Sequence, residues 1–252
     1  MAFLYNIGIQ AYHLAIQLAA PFNEKAALLR KGRKEVWKKA AGIQRGEGRL
    51  VWFHAASLGE FEQGRPVIEA LKAAEPATQI LLTFFSPSGY EIRKNYTGAD
   101  YILYLPGDTR RNAVRLIEKF RPDAAVFIKY EFWFHYLNEL NKRNIPVYLI
   151  SAIFRPNQPF FKSWGKLHRR MLGCFKELFV QDGQSVELLK SIGIKNVRLT
   201  GDTRFDRVKQ IAENAKQIVK VEQFCDGRPS GNPSVRRRRP VRADRRRDGA
   251  AA

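Results

Sequence analysis

Three charged residues, Glu60, Glu131 and Arg204, directly follow stretches that are predicted to be buried strands. A carboxylate in such a place can act as a general base, because it can accept a proton from a substrate hydroxyl. A guanidinium can steady phosphate or carboxylate charge. Each also has an ordinary structural interpretation: Glu60 as an acid that stabilises a helix start, Glu131 as the ion-pair partner of Lys129, and Arg204 as a solvated side chain.

Small and hydroxyl-bearing residues accompany the first two predicted strand ends. The segment before Glu60 reads HAASLG, and Gly59 is expected to allow a tight turn into the next helix. The second strand is followed by SPSG, in which Ser88 is expected to cap a helix. The free N-terminus of that helix could bind an anion, although capping alone also explains the serine.

The segments that would position these residues alternate between apolar runs and helical patterns. Strands are predicted at 50–57, 79–85, 101–105, 123–129, 146–151, 177–181 and 197–201, and helices at 60–74, 89–96, 109–120, 132–143, 160–175, 185–192 and 206–221. Continuous apolar runs of this length indicate strands that are buried on both faces. The pattern therefore predicts an α/β fold with a Rossmann-like, doubly wound parallel sheet over residues 50–221.

In such a sheet the ligand crevice lies at the carboxyl ends of the strands, which is where the charged residues fall. The glycine fingerprint GxGxxG follows none of the predicted strands, and neither does the P-loop pattern. Dinucleotide binding and P-loop nucleotide hydrolysis therefore lose their main sequence support. The two cysteines, Cys174 and Cys225, exclude a disulfide scaffold, and the sequence predicts no metal site.

The N-terminal segment 1–23 has no charged side chain, and the segment 24–49 that follows it is strongly basic. Between Glu24 and Leu50 there are nine Lys or Arg and three Glu, so the segment carries 9 − 3 = +6. This step in charge is typical of a membrane anchor helix followed by a basic juxtamembrane segment. An interfacial helix, or a helix packed on the domain, would show a similar pattern.

The formal net charge of +20 favours anionic partners, and part of it lies in the C-terminal tail 222–252. From Cys225 to the end there are nine Arg and three Asp, which gives 9 − 3 = +6, with almost no aliphatic residues. Such a tail cannot bury enough apolar surface to order itself, so we expect it to be disordered. Its composition is what GC-rich codons give in any frame, so we expect a non-native extension.

Taken in order, several short motifs resemble those of the 3-deoxy-D-manno-octulosonic acid (Kdo) transferases of lipopolysaccharide synthesis. They are Gly32-Arg33-Lys34, the run from His54 to Glu60, Ser86-Pro87-Ser88-Gly89, Leu105-Pro106-x-Asp108, Glu131-Phe132-Trp133, and Gly201-Asp202-x-Arg204-Phe205-Asp206. The resemblance covers roughly residues 1–227. It implies the N-terminal, acceptor-binding half of a GT-B glycosyltransferase at the cytoplasmic face of the bacterial inner membrane.

The resemblance also implies roles for individual residues. Glu60 would be the proton acceptor for the attacking sugar hydroxyl, and Glu131 and Arg204 would stabilise the transition state. The lipid A precursor (lipid IVA) and the anionic membrane surface would be contacted by a further set of residues: Lys31, Arg33, Lys34, Ser57, Gly59, Ser86 and Ser88. No cofactor and no metal are implied.

The donor, CMP-Kdo, would bind mostly to a C-terminal domain that this sequence lacks, so transfer by this chain alone is not expected. Two other functions stay open on the sequence. One is a basic nucleic-acid-binding protein, although the body has no helix-turn-helix, RNP or zinc-finger signature, and we expect no nucleic-acid partner. The other is an anionic-lipid-binding protein without catalytic activity.

Overall fold

The computed structural model describes residues 2–203 of the 252-residue chain, and these residues belong to one compact unit. The strands are β1 (Leu50–Ala55), β2 (Gln79–Phe84), β3 (Tyr101–Tyr104), β4 (Ala124–Ile128), β5 (Val147–Ala152), β6 (Glu177–Val180) and β7 (Val197–Leu199). The helices are α1 (Ala2–Ala19), α2 (Glu24–Gly42), α3 (Leu58–Ala74), α4 (Pro87–Arg93), α5 (Arg110–Phe120), α6 (Phe134–Lys142), α7 (Lys166–Leu172) and α8 (Gly183–Ser191).

The strands form one parallel sheet in the order β3-β2-β1-β4-β5-β6-β7. The chain therefore builds outward from β1 to β3 in one direction, and then returns to β4 and builds outward in the other. The predicted doubly wound, Rossmann-like α/β sheet is confirmed. The central strands β1, β2 and β4 are buried on both faces because helices cover both sides, whereas the edge strand β7 is largely exposed.

Two apolar clusters fill the two faces of the sheet. One contains Trp52 and Phe127 from the central strands and packs beneath α5 and α6. The other contains Phe53 and packs beneath α3, with Ile16 of α1 at its margin. Alternate residues of β1 thus serve opposite faces, as the two-residue repeat of a strand requires.

Helix α1 packs on the domain through Tyr5, Tyr12 and Ile16, which are partly or fully buried. Its opposite side is also apolar and lies in solvent, and this outward face consists of Phe3, Leu4, Ile7, Leu14 and Leu18. Within residues 2–203, no helix is both long enough and apolar enough to cross a membrane.

The basic segment after α1 folds as helix α2, which contributes to the core. Leu29, Gly32, Val36 and Ala40 form its buried side. At Gly32 an added Cβ would lie 2.2 Å from the ring of Tyr104, so only glycine allows α2 to approach β3 this closely.

The region predicted as one helix over 160–175 is a 3₁₀ turn (Pro159–Phe161) followed by α7. Between them the backbone of Gly165 packs closely against the turn. A Cβ at Gly165 would lie 1.8 Å from the carbonyl oxygen of Pro159. The guanidinium of Arg169 holds the turn by donating to the carbonyls of Phe160 and Lys162, at 3.0 and 2.7 Å. These local bonds replace the continuous helix that the apolar spacing predicted.

Some predictions concern residues beyond this range. The helix predicted over 206–221, the residue Arg204 and the tail 222–252 lie outside the described residues.

Candidate functional site

The strand order places a crevice between the carboxyl ends of β1 and β4. These strands are neighbours, but the chain leaves them toward opposite edges of the sheet. In doubly wound sheets this reversal opens the space in which ligands bind. Glu60 follows β1 in the first turn of the next helix and Glu131 follows β4 in a loop, so both predicted carboxylates lie at the carboxyl-end side of the sheet.

Glu60 lies in the first turn of α3, which begins at Leu58, two residues earlier than predicted. Its carboxylate accepts a hydrogen bond from the hydroxyl of Ser57, with 2.8 Å between Oγ and Oε2. The hydroxyl of Ser57 makes no cap bond to the helix backbone, so it is committed to orienting Glu60. Glu60 is partly exposed, which leaves it accessible from the crevice.

The role predicted for Gly59 is wrong. Gly59 is a residue of α3 and has no positive φ, so no tight turn depends on it. A Cβ at Gly59 would have only the Ser57 hydroxyl as a neighbour, at 4.0 Å.

Glu131 is buried, with 6% of its surface exposed, and two nitrogen atoms contact its Oε2. They are His54 Nε2 at 2.9 Å and Trp133 Nε1 at 2.7 Å. The predicted ion pair between Glu131 and Lys129 is therefore not the arrangement observed. The Lys129 ammonium lies 5.5 Å from the centre of the Tyr130 ring, and Lys129 itself has a left-handed backbone with φ +70°.

Tyr130 connects the two loops electrostatically. Burial raises the pKa of its phenol, Arg155 opposes that rise, and the charges of Asp182 and Glu60 add to it. The influence of Glu60 on this group indicates that the loop after β1 faces the loop after β4 across the crevice.

A stack of aromatic rings leads from α1 to the crevice. Tyr12 of α1 stacks on Phe85, with centroids 5.9 Å apart, and Phe85 stacks on Trp133 at 4.8 Å. Trp133 in turn donates to Glu131. This aromatic column lines a pocket together with Ile9, His13, Arg33, Leu105, Pro106, Gly107 and Asp108.

Arg33 is turned into this pocket. Its guanidinium carbon lies 4.8 Å from the centre of the Phe85 ring and 5.6 Å from that of Tyr12. Burial lowers the pKa of the guanidinium, and its Nε and Nη1 atoms are buried with no hydrogen-bond partner. The neighbouring His13 has a lowered pKa because of burial and the charge of Arg33. Two nitrogen atoms of a cationic group are thus left without a hydrogen-bond partner in this pocket.

The other predicted acceptor-binding residues do not join Arg33 in one cluster. Lys31 and Lys34 are exposed on α2. Ser86, and not Ser88, is the N-cap of α4: its Oγ accepts from the backbone N–H of Ser88 at 3.3 Å. Of the predicted acceptor-binding residues, Ser57 contacts Glu60 through its hydroxyl, whereas within the described part of the chain Lys31, Lys34, Ser86 and Ser88 make no hydrogen bond to it.

The segment before Arg204 is fixed at the same edge of the sheet. The Thr203 hydroxyl contacts Ser151 Oγ at 2.9 Å and donates to the carbonyl of Gln63 at 2.8 Å. Ser151, near the end of β5, has φ +55°, a strained conformation of a kind that concentrates at functional sites.

Sequence reasoning gave no role to His54 or to Asp108. A polar residue inside an otherwise apolar strand must find a partner when buried, and that signal could have singled out His54. Asp108 caps α6, because its carboxylate accepts from the backbone N–H groups of His135 and Tyr136. It also accepts from the Tyr5 hydroxyl, and so it ties α1 to the first turn of α6.

Solved structures share the fold with this chain. The UDP-GlcNAc 2-epimerase from Neisseria meningitidis bound to UDP-GlcNAc is 20% identical, with a TM-score of 0.51, over 71% of this chain and 54% of that chain. Another UDP-N-acetylglucosamine 2-epimerase gives a TM-score of 0.52 at 17% identity, over 70% of this chain and 55% of that chain. At this level of identity the similarity shows the architecture alone.

Curated relatives carry the name 3-deoxy-D-manno-octulosonic acid transferase. The protein from Chlamydia trachomatis serovar D is 26% identical over 195 residues, which are 74% of this chain and 45% of that protein. The protein from Rickettsia bellii is 26% identical over 190 residues, 73% of this chain and 44% of that one. The chain thus spans less than half the length of these relatives.

A family profile described as 3-Deoxy-D-manno-octulosonic-acid transferase (kdotransferase) matches residues 24–207. This range includes both carboxylates of the crevice and every strand of the sheet. The match covers well over half of the sequence. The chain therefore belongs to the Kdo transferase family.

Proposed function

We propose that this chain forms the acceptor-binding part of an enzyme that moves Kdo from CMP-Kdo to lipid IVA in lipopolysaccharide synthesis. The observation that carries the proposal is the pair Glu60 and Glu131 at the point where the strand order reverses. One carboxylate is partly exposed and the other is buried and hydrogen-bonded, so their environments suit different roles.

In the proposed reaction Glu60 accepts the proton of an acceptor sugar hydroxyl. The hydroxyl oxygen forms a bond to the anomeric carbon of Kdo, and the bond from that carbon to the phosphate oxygen of CMP breaks. The Ser57 hydroxyl orients one oxygen of Glu60, and the other oxygen is then directed to the substrate. General-base assistance of this kind typically accelerates a reaction by about 10² to 10⁴.

The negative charge of the buried Glu131 carboxylate would stabilise the positive charge that develops on the Kdo ring in the transition state. Fixed charges in a site that excludes water act strongly on developing charge. Arg204 would compensate the charge of the departing phosphate. The role of Arg204 is supported by its position in the sequence, directly after Thr203. The hydroxyl of Thr203 is hydrogen-bonded to Gln63 and Ser151.

The acceptor would lie along the aromatic column, with an anionic group of its head on Arg33. The unpartnered N–H groups of that side chain are what a phosphate requires. Lys31, Lys34, Ser57, Gly59, Ser86 and Ser88 remain candidates for further contacts.

The outward apolar face of α1 would lie in the surface of the cytoplasmic leaflet of the inner membrane, and the basic residues of α2 would attract its anionic headgroups. CMP-Kdo would be held mostly by a second domain. The relatives are more than twice as long as their matched regions, which agrees with that division.

The test compares Glu60→Gln with the control Glu69→Gln in this chain joined to the C-terminal half of the Chlamydia trachomatis relative. Glu69 lies on the same helix, where it pairs with Arg65, so the control removes a carboxylate outside the crevice. We expect Glu60→Gln to lower the single-turnover rate by at least about 10². Lipid acceptor binding and the melting temperature should stay close to the parent values.

A different outcome would contradict the assignment. If Glu60 only stabilises the start of α3, its replacement lowers the melting temperature and leaves turnover per folded molecule unchanged. If the parent protein binds anionic lipid vesicles but transfers no sugar, the function is anionic-lipid binding. Preference for duplex DNA over the vesicles at matched salt would indicate a nucleic-acid-binding protein.

A further inference from the structure

His54 is the fifth residue of β1 and is completely buried. Its Nε2 lies 2.9 Å from Oε2 of Glu131, and its Nδ1 lies 2.9 Å from the hydroxyl of Thr83. Thr83 is the register partner of His54 on β2. The imidazole is thus held on one side by the sheet and faces the crevice carboxylate on the other.

The hydrogen-bond partners determine which nitrogen of His54 carries the proton. The Trp52 indole can only donate, and it donates to Thr83 Oγ1 at 2.8 Å. The Thr83 hydroxyl is then free to donate to His54 Nδ1 at 2.9 Å, a shorter contact than its other acceptor, the Phe53 carbonyl at 3.4 Å. With Nδ1 accepting, the ring proton is on Nε2 and points at Glu131.

The same conclusion holds for a protonated ring. Nδ1 also lies 3.0 Å from the backbone carbonyl of Thr83, which can accept a second proton. In both forms Nε2–H donates to the carboxylate. A one-directional chain of hydrogen bonds therefore runs from Trp52 through Thr83 and His54 to Glu131.

Two donors converge on the same oxygen of Glu131. Trp133 Nε1 contacts Oε2 at 2.7 Å, closer than its 3.1 Å approach to His54 Nε2. A buried carboxylate without such partners is costly and takes up a proton or turns away. Since both donors use Oε2, they fix the plane of the carboxylate and leave Oε1 for the substrate.

We propose that His54 is a positioning residue, which holds the Glu131 carboxylate oriented toward the crevice during sugar transfer. The proposal rests on the proposed function, because it assigns His54 a part in the same site. His54 itself touches no substrate. It acts through Glu131, which lies 77 positions later in the sequence. The central strands of the sheet bring the two residues into contact.

The first test uses the 252-residue chain with isotope-labelled His and Glu side chains, observed by NMR. In the parent chain we expect the His54 ring to show the Nε2–H form. The groups that contact the Glu131 carboxyl are His54 from β1 and Trp133 from its own loop. Glu131→Gln identifies the Glu131 carboxyl signal by its loss.

Two substitutions separate the hydrogen bond from packing. His54→Phe keeps a ring but removes the donor, and it should change the chemical shift of the Glu131 carboxyl carbon, because the hydrogen bond from Nε2 is lost. His54→Gln keeps an N–H donor near the Nε2 position and should leave most of the parent behaviour. If the Glu131 carboxyl signal is the same in folded His54→Phe and in the parent, the proposal is overturned. An Nδ1–H ring in the parent overturns it as well.

The second test is the transfer assay with the fused C-terminal half. His54→Phe should lower kcat by about 10- to 100-fold, the loss typical of removing the partner that orients a reactive group, with the acceptor KM unchanged. His54→Gln should recover most of the rate. Equal rates for parent and His54→Phe would overturn the positioning role even with an NMR effect.

The two proposals fail in distinguishable ways. An inactive parent with the expected NMR behaviour contradicts sugar transfer, but it leaves the orientation of Glu131 by His54 established. An active parent with no effect of His54→Phe contradicts the role of His54 alone. If His54→Phe does not fold, the ring form of the parent and the behaviour of His54→Gln still decide the outcome.

Discussion

Single residues at this site depend on partners that lie far away in the sequence. Glu131 is held by His54, 77 positions earlier, and Tyr5 donates to Asp108, 103 positions later. Both acceptors are buried carboxylates, which need such donors to remain in an apolar interior. The chemistry of the crevice therefore depends on the completed sheet and not on any local motif.

At the residue scale, Arg33→Gln should weaken binding of the lipid acceptor. The guanidinium has buried N–H groups without partners, and a hydrogen bond to a charged group contributes about 1.5–3 kcal/mol. The affinity should therefore fall by about 10- to 150-fold. Binding of lipid IVA to the detergent-solubilised chain can be followed by calorimetry.

The control is Lys38→Gln, which removes a positive charge from an exposed position of the same helix. If both variants weaken binding equally, the general charge of α2 attracts the lipid and Arg33 has no specific contact with it.

Whole elements are packed closely where the sequence has glycine. Helix α2 approaches the Tyr104 ring of β3 at Gly32, and α4 approaches β2 at Gly89, where a Cβ would lie 2.3 Å from the Phe84 ring. Protein interiors are dense enough that one added methyl group is felt at such contacts. The motifs around these glycines therefore have a packing role beside any role in binding.

At the element scale, Gly32→Ala should destabilise the protein even though alanine is the better helix former. The new Cβ would meet the Tyr104 ring at 2.2 Å, and overpacking of this kind typically costs about 1–3 kcal/mol. Urea unfolding should show a lower midpoint for the variant.

Gly42→Ala, at the end of the same helix, is the matched control. A Cβ there meets nothing within 4 Å, so this change should be neutral or slightly stabilising. Equal stability of the two variants would show that α2 can move away from β3 at little cost.

The sequence predicted the central strands well because β1, β2 and β4 are nearly continuous apolar runs, as strands buried on both faces require. It predicted helix starts less well: α3 and α4 both begin two residues early, since Ser57 and Ser86 precede them as caps. The break at Gly165 could not be predicted, because it depends on a contact with the Pro159 carbonyl. Strand order was also beyond the sequence, so the neighbouring positions of Glu60 and Glu131 were inferred only from the fold class.

For the whole molecule, three of the four histidines share one electrostatic property. His13, His135 and His168 all have lowered pKa values, in each case chiefly because of burial. The folded chain therefore binds protons less readily than the unfolded chain below the ordinary histidine pKa of about 6.5. At neutral pH these histidines are mostly uncharged in both states and do not oppose folding. As the pH falls through that value, the unfolded chain takes up protons more readily, and the folded chain loses stability.

We therefore expect the free energy of unfolding to be smaller at pH 5.5 than at pH 7.5. A triple variant with His13→Gln, His135→Gln and His168→Gln should show a smaller difference. Urea unfolding at the two pH values measures it. Asp108, whose pKa burial raises, interacts electrostatically with His135, so the double variant His13→Gln and His168→Gln, which keeps both of these groups, should also show a smaller difference. A difference that is equally large in the triple variant would mean that other groups set the pH dependence.

The two apolar faces of α1 have a practical consequence for protein production. Removing an apolar N-terminal helix is a common way to obtain a more soluble protein, but here it would also remove Tyr5 and Tyr12. The first holds Asp108 and the second forms one end of the aromatic column. A better expression variant would keep the helix and exchange only Phe3, Leu4, Ile7, Leu14 and Leu18 for polar residues, because these side chains lie in solvent and support nothing beneath them.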